Sequence, residues 1–331
     1  MRADGLLLAL ACGLSISCVP DLNVKASRVD QTRVVAVRAT PAEATPGQMV
    51  NWQAVVVAPL QHQANTQIQW ALCQAPRNPS DSITVTMTCL GDPDVPGPAL
   101  GDGGVTPPTV TSLPGMTGSV AQAVIPSDAC RKIGPEVSAM GAGGVKQRPP
   151  DADITGGYQL PLRLVAFDAS GGDPRVDVSF DRQRVHCNLA NAPAEAARDY
   201  AKRYKANQNP ELQAIALAGV VGAADGSARY QVPRGTKIPV QLLWPDAARE
   251  TYVLFDPVQR AVVERTETLD VSWYTNGGEF ERDRTTQDGD APSSSNTLVL
   301  DQGAVGPVTL WVVLRDERGG VGAGTLTIDP I

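Results

Sequence analysis

One eleven-residue pattern of this chain occurs twice. Leu162-Arg-Leu-Val-Ala-Phe-Asp168-Ala-Ser-Gly171-Gly172 aligns without a gap to Leu310-Trp-Val-Val-Leu-Arg-Asp316-Glu-Arg-Gly319-Gly320, with five positions identical. Each copy reads as an apolar strand that stops at Asp-x-x-Gly-Gly. The Asp carboxylate can accept from N–H groups of a turn, and glycine supplies the positive φ that a tight hairpin needs. Each copy then enters a second alternating run, Val176/Val178/Phe180 and Val321/Thr325/Thr327. The duplication predicts two similar β units.

Earlier parts of each unit repeat as well. Pro46-Gly47 precedes the alternation Val50, Trp52, Ala54, Val56, and Pro233-Arg234-Gly235 precedes Ile238, Val240, Leu242. Both are turn signals followed by strand periodicity. Ile68/Trp70/Leu72 and Leu269/Val271/Trp273 each place a Trp on an inward face. With 31 Gly and 27 Pro among 331 residues a helical protein is excluded, while 42% apolar residues suffice for a core. The fold expected is all-β: two antiparallel sandwiches in tandem over 31–189 and 211–331. The inward Trp resembles the core Trp of immunoglobulin-like domains. The strand–Asp–Gly-Gly–strand ending resembles the last hairpin of bacterial Ig-like and PKD-like modules.

One helix interrupts the pattern. Asn191 and Pro193 are start signals, Ala197, Tyr200, Ala201 and Tyr204 form a stripe over Ala194–Lys205, and Asn209-Pro210 is a stop. Asp199 can pair with Lys202 or Arg203. Residues 190–210 therefore read as a short linker helix. The first unit is decorated by Gly/Pro-rich loops over 90–117 and 126–157, the second by two strands around Asp256-Pro257. Residues 287–295 read as a solvated loop.

The N-terminus reads as an address. Arg2 precedes an apolar run from Gly5 to Ser17 that is too short to span a bilayer, which is the layout of a signal peptide over 1–17. Cys18 follows Ile16-Ser17, and this junction resembles the cleavage site of bacterial lipoproteins. That resemblance implies lipidation of Cys18 (a palmitate-labelled anchor), a lipid-anchored tether over 18–30 and, with Val19 next, the outer membrane of the cell envelope. Three alternatives stand: a site at Cys12 after Ala9-Leu10-Ala11, plain cleavage that leaves Cys18 a thiol, and a retained membrane segment.

Export gives the remaining cysteines an oxidising compartment, so Cys73, Cys89, Cys130 and Cys187 read as two disulfides. Three pairings are open. Cys73–Cys89 with Cys130–Cys187 is favoured because the first closes a short loop. No CxxC pair suggests zinc, and Asp151-Ala-Asp153 lacks the closing Glu of a calcium loop. No metal and no cofactor are expected.

Chemistry is scarce. The chain has two His; His62 lies in a polar turn, and His186 adjoins Cys187 on the opposite face of a strand. No Gly-x-Ser-x-Gly elbow or phosphate loop occurs. A formal net charge of −7 argues against nucleic acid as a partner. Asp168 and Asp316 read as turn caps, with Gly171, Gly172, Gly319 and Gly320 as the turns. Tyr274 and Trp311 are the candidate sugar-stacking aromatics. The function expected is a non-enzymatic interaction or structural module, with the membrane and an unknown protein or polysaccharide as partners. The alternatives are a carbohydrate- or polymer-binding module and, below it, a carboxylate hydrolase. A concave acidic cleft holding a carboxyl of raised pKa would favour the last.

Overall fold

Turn residues cut the chain into short strands, and these stack as four sheets. The computed structural model describes residues 25–59, 66–74, 89, 110–132, 154–168, 175–189, 192–287 and 289–331. In the first half, β1 (Arg33–Thr40), β3 (Met49–Val57) and β6 (Val120–Val124) form an antiparallel sheet in the order β1-β3-β6. Facing it are β2 (Glu43–Ala44), β4 (Thr66–Cys73), β5 (Val110–Thr117), β7 (Gly157–Asp168) and β8 (Arg175–His186), in the order β2-β8-β7-β4-β5.

The second half repeats the plan. β9 (Ala214–Leu217), β10 (Val220–Gly222), β12 (Lys237–Leu243), β16 (Gly278–Phe280) and β18 (Ser293–Leu300) run in the order β10-β9-β12-β18-β16. Against them pack β11 (Asp225–Val232), β15 (Leu269–Thr275), β17 (Arg284–Thr286), β19 (Val308–Asp316) and β20 (Val321–Pro330), in the order β11-β20-β19-β15-β17. A hairpin of β13 (Thr251–Asp256) and β14 (Ala261–Thr266) is added outside the sandwich. The pairings of these strands are antiparallel except at one edge of the β7 sheet and of the β19 sheet, where β2 lies parallel to β8 and β11 parallel to β20. Strand for strand, both halves are immunoglobulin-like sandwiches.

The repeat occupies the same place in both. Leu162–Asp168 ends β7 and Leu310–Asp316 ends β19, each at the centre of its sheet. Trp70 lies across from Leu164 and Trp273 across from Val312, which are the same position of the aligned segments. Both indoles are buried, and each donates from Nε1, to Gly118 O at 2.9 Å and to Thr285 Oγ1 at 2.8 Å. A buried N–H left without an acceptor would cost roughly 1–3 kcal/mol, and these two indoles avoid that cost, whereas Trp244 Nε1 in the second core finds no acceptor among the described residues. Gly47 and Gly235 enter β3 and β12 at φ +84° and +69°, a conformation that side-chain-bearing residues avoid.

Cys73–Cys89 and Cys130–Cys187 are the disulfides, with Cα atoms 5.6 and 5.5 Å apart. The second ties α1 (Ala129–Lys132) to the end of β8.

Three boundaries differ from expectation. Residues 110–117, expected in a loop, are strand β5 on the edge beyond β4. Residues 293–295 open β18; Ser294 is buried because its hydroxyl donates to Thr285 Oγ1 and Thr286 O, both at 2.7 Å. Helix α2 (Ala194–Arg203) stops six residues before Asn209. Beyond it, Asn207 N donates to Glu43 and Lys205 O accepts from Arg318, so the sandwiches claim the groups that another helical turn would use. The segments 1–24, 60–65 (with His62), 75–88, 90–109, 133–153 (with Asp151 and Asp153), 169–174 (with Gly171 and Gly172) and 190–191 lie outside the described residues, as does the side chain of Asp168.

Candidate functional site

The ionisable side chains concentrate where the two sandwiches meet, and the meeting begins with an apolar face. On β19 the inward side chains Leu310, Val312 and Leu314 fill the second core. The outward set is Trp311, Val313 and Arg315, and here the first sandwich covers it: Trp311 meets Val29 and Val57, while Val313 meets Ala36. The central strand β19 is therefore covered on both faces. Trp311 is 5% exposed and Tyr274 carries the Arg33 guanidinium 5.6 Å from its ring centre, so neither forms a sugar platform. A bulge between Val34 and Ala36 in β1 turns the Val35 carbonyl toward the second sandwich, where Arg315 Nη2 donates to it at 2.6 Å.

A polar network runs beside this face. Glu43 of β2 is buried and accepts from two donors, the Tyr204 hydroxyl and Asn207 N at 2.8 Å, while the Arg184 guanidinium pairs with it by charge at 3.2 Å. Asn207 Nδ2 in turn donates to the Asp316 carboxylate at 3.2 Å. Asp316 Oδ1 accepts from Arg318 N at 2.9 Å and Gly320 N at 2.8 Å, which makes it the cap of its hairpin as well as a tie to the linker. Gly319 holds φ +104°, and a Cβ on Gly320 would stand 2.1 Å from Asp316 Oδ2. The Arg318 guanidinium, 2% exposed, donates to Glu267 at 2.6 Å, Glu250 at 2.8 Å and Lys205 O at 3.2 Å, and stacks 4.6 Å from the Tyr252 ring centre.

Charge follows burial here. Three carboxylates, Glu250, Glu267 and Asp316, surround the one Arg318 guanidinium, so negative groups outnumber the positive one by two. Burial, then the Asp316 charge, raises Glu267 to about 7 against the pull of Arg318. Burial likewise raises Asp316, and burial with the Glu43 charge raises the Tyr204 phenol. His186 is lowered by burial, partly offset by Glu43 at 3.9 Å; its ring stands edge-on to Tyr204 at 4.0 Å, and Nε2 bonds Asn188 Oδ1 at 3.0 Å. Cys187, one residue on, is paired with Cys130, and no Cys–His dyad forms.

Above the network lies a groove of about 500 Å³ between the sandwiches. Its walls are the β1 bulge, Ser179 to Arg182 of β8, and Asp270, Ser272, Arg284 and Arg315 of the second sheet. Burial raises the Asp181 carboxyl while Arg315 opposes it. Both Asp181 oxygens are committed to backbone, to Val37 N at 2.6 Å and Arg182 N at 2.8 Å. The groove mixes signs rather than being acidic. Among the described residues no group of three or more His, Cys, Asp and Glu is arranged to hold a metal ion.

The candidate residues named from sequence do not converge. Trp70 and Trp273 serve two separate cores, and the disulfides lie in the first sandwich. Asp316 and Gly320 belong to the junction, with Gly319 in its hairpin turn. Cys18, Gly171 and Gly172 are outside the described residues. Glu43, Arg184, Asn207, Glu250, Glu267 and Arg318 were not anticipated, because partners 50 to 160 residues apart leave no spacing to read.

No protein-family model and no curated relative matches the chain. Solved structures align over most of it at low similarity. The fibronectin(III)-like modules of Clostridium thermocellum CbhA share 11% identity over 91% of this chain and 94% of theirs, with a TM-score of 0.18. The Yersinia pseudotuberculosis adhesin InvE shares 8% over 90% of this chain and 58% of its own, with a TM-score of 0.19. The fold assignment rests on the strand order above.

Proposed function

We propose that this chain is an envelope-anchored, non-enzymatic interaction or structural module: two immunoglobulin-like sandwiches set rigidly against each other and held to a membrane by a lipid on Cys18. The observation that carries the reading is the commitment of the junction. Glu43, Asp316, Glu267, Glu250, Arg184 and Arg318 bond one another or the backbone that passes between the sandwiches. Side chains held this way orient domains, and proton transfer would require releasing one of them.

The end of the expected tether supports the anchoring part. Ala26 N and Ser27 N donate to Asp283 at 3.2 and 3.0 Å, Val29 N donates to Thr275 O at 2.8 Å, and Arg28 pairs with Asp301 at 3.1 Å. This strap bonds the second sandwich and also touches the first, where Arg33 Nη2 donates to Arg28 O at 3.1 Å and Val29 packs with Val57. Cys18 stands seven residues before Lys25, at most about 25 Å of extended chain. A lipid there would hold the junction of the two sandwiches within that reach of the bilayer. Bacterial envelopes, outer-membrane sorting and palmitate follow from the same resemblance at Cys18. Replacing Cys18 by Ala is expected to release the protein from membranes and abolish palmitate labelling. Unchanged partition, or a parent protein that takes no label, rejects the anchor.

A hydrolytic reading draws on the raised carboxyl of Asp181 in a groove. It is the weaker one, since a general acid or nucleophile at Asp181 would have to drop the β1 N–H that it holds.

A further inference from the structure

We propose that the groove between the sandwiches is a binding site for an acidic oligosaccharide, one that carries both free hydroxyls and carboxylate or sulfate groups. The proposal rests on the module reading above and supplies its ligand. About 500 Å³ is within the range of small-ligand sites, which favour domain junctions. What distinguishes the groove is which of its polar groups remain free. Asp181 and Asp316 have their oxygens filled by backbone N–H groups and Asn207. Ser179 donates to Asp177 at 2.7 Å. The Arg182 and Arg284 guanidiniums, both exposed, make no hydrogen bond or ion pair with the described residues, and Arg315 commits one nitrogen to Val35 O and keeps its other N–H groups.

The free inventory is thus rich in fork-shaped cationic donors, which suit carboxylate or sulfate oxygens. It also holds one free acceptor, Asp270, directly across β15 and β19 from Arg315, and the Ser272 hydroxyl. A free carboxylate among the arginines repels a ligand that is anionic throughout. It accepts from a sugar hydroxyl. A peptide would want apolar side-chain pockets; of the apolar lining, Ala36 and Leu164 are buried in the fold and Phe180 is packed on the Cys73–Cys89 disulfide, which leaves Val34 and Val35. Mixed sign with only these two half-buried valines open to a ligand fits an acidic sugar better than an acidic peptide.

Calorimetric titration of the full chain with tetragalacturonate and with a sulfated chondroitin tetrasaccharide tests this directly. At least one of them is expected to bind, with affinity falling as salt rises. Arg182→Ala and Arg284→Ala should each weaken binding at least tenfold, and Asp270→Asn by a few-fold. Both arginines are exposed and unpaired, so an unchanged melting temperature is expected to accompany the loss. Methyl-esterified tetragalacturonate should bind at least tenfold more weakly than the acid. The proposal is overturned if neither acidic probe binds, if the ester binds equally well, if the arginine variants bind normally, or if hexaglutamate binds as tightly. Shortening of a probe during the titration would contradict the non-enzymatic reading itself. Loss of groove binding alone leaves that reading standing on its other surfaces.

Discussion

The two copies of the repeated strand have the same inner face and different outer ones. Inward, Leu162, Leu164 and Ala166 of β7 match Leu310, Val312 and Leu314 of β19, and all six are buried. Outward, Arg163, Val165 and Phe167 stand where the second copy has Trp311, Val313 and Arg315. The inner face builds a sandwich, and both copies build the same one. The outer face decides whether that sandwich receives a neighbour. Trp311 and Val313 make the second sandwich the platform on which the first one sits, and Arg315 reaches across to the β1 bulge. The asymmetry of the pair is thus written in three side chains of one strand.

Removing that asymmetry should have the largest effect. Trp311→Ala takes a 5%-exposed indole out of the interface and is expected to cost about 3–5 kcal/mol in chemical unfolding. Arg163→Ala, at the matching place on the first sandwich, removes a half-buried side chain and should cost less, about 1 kcal/mol. Equal losses at the two sites would deny that the outer faces differ in role.

The network sharpens the same contrast through pH. Glu267 is held up at about 7, above the ordinary 4.5. Between these values the folded protein keeps a proton that the unfolded chain has released, so stability falls as pH rises through that window. At about 1.4 kcal/mol per unit the change is at most about 3 kcal/mol. Asp316, also raised, acts in the same direction. His186, lowered by burial, opposes both below about its unfolded value, 6.5. Comparing the parent with Glu267→Gln isolates the term: the variant should lose most of the decline between pH 5 and 7.5. Identical slopes would show that Glu267 is ionised throughout.

Much of the sandwich was legible in the sequence, because short-range rules govern it. Alternation, the Pro-Gly entries to β3 and β12, and the Asp-x-x-Gly-Gly turns act over a few residues each. The docking was legible only in part. Leu310-Trp-Val-Val-Leu314 is an unbroken apolar run, the mark of a strand covered on both faces, whereas Leu162-Arg-Leu breaks its run at once. Reading Trp311 as a candidate for an exposed platform overlooked that signal. The polar network was not legible at all. Glu43, Asn207 and Asp316 meet through the fold, and helix α2 ends at Arg203 for the same reason: its next residues answer to the sandwiches rather than to the local code.

The central claim is that the two sandwiches form one rigid pair. Spin labels at Val178→Cys in the first and Val220→Cys in the second, both exposed positions, report it by electron–electron double resonance. The account predicts one narrow distance distribution in the parent and a broad one with Trp311→Ala. A broad distribution in the parent would contradict it.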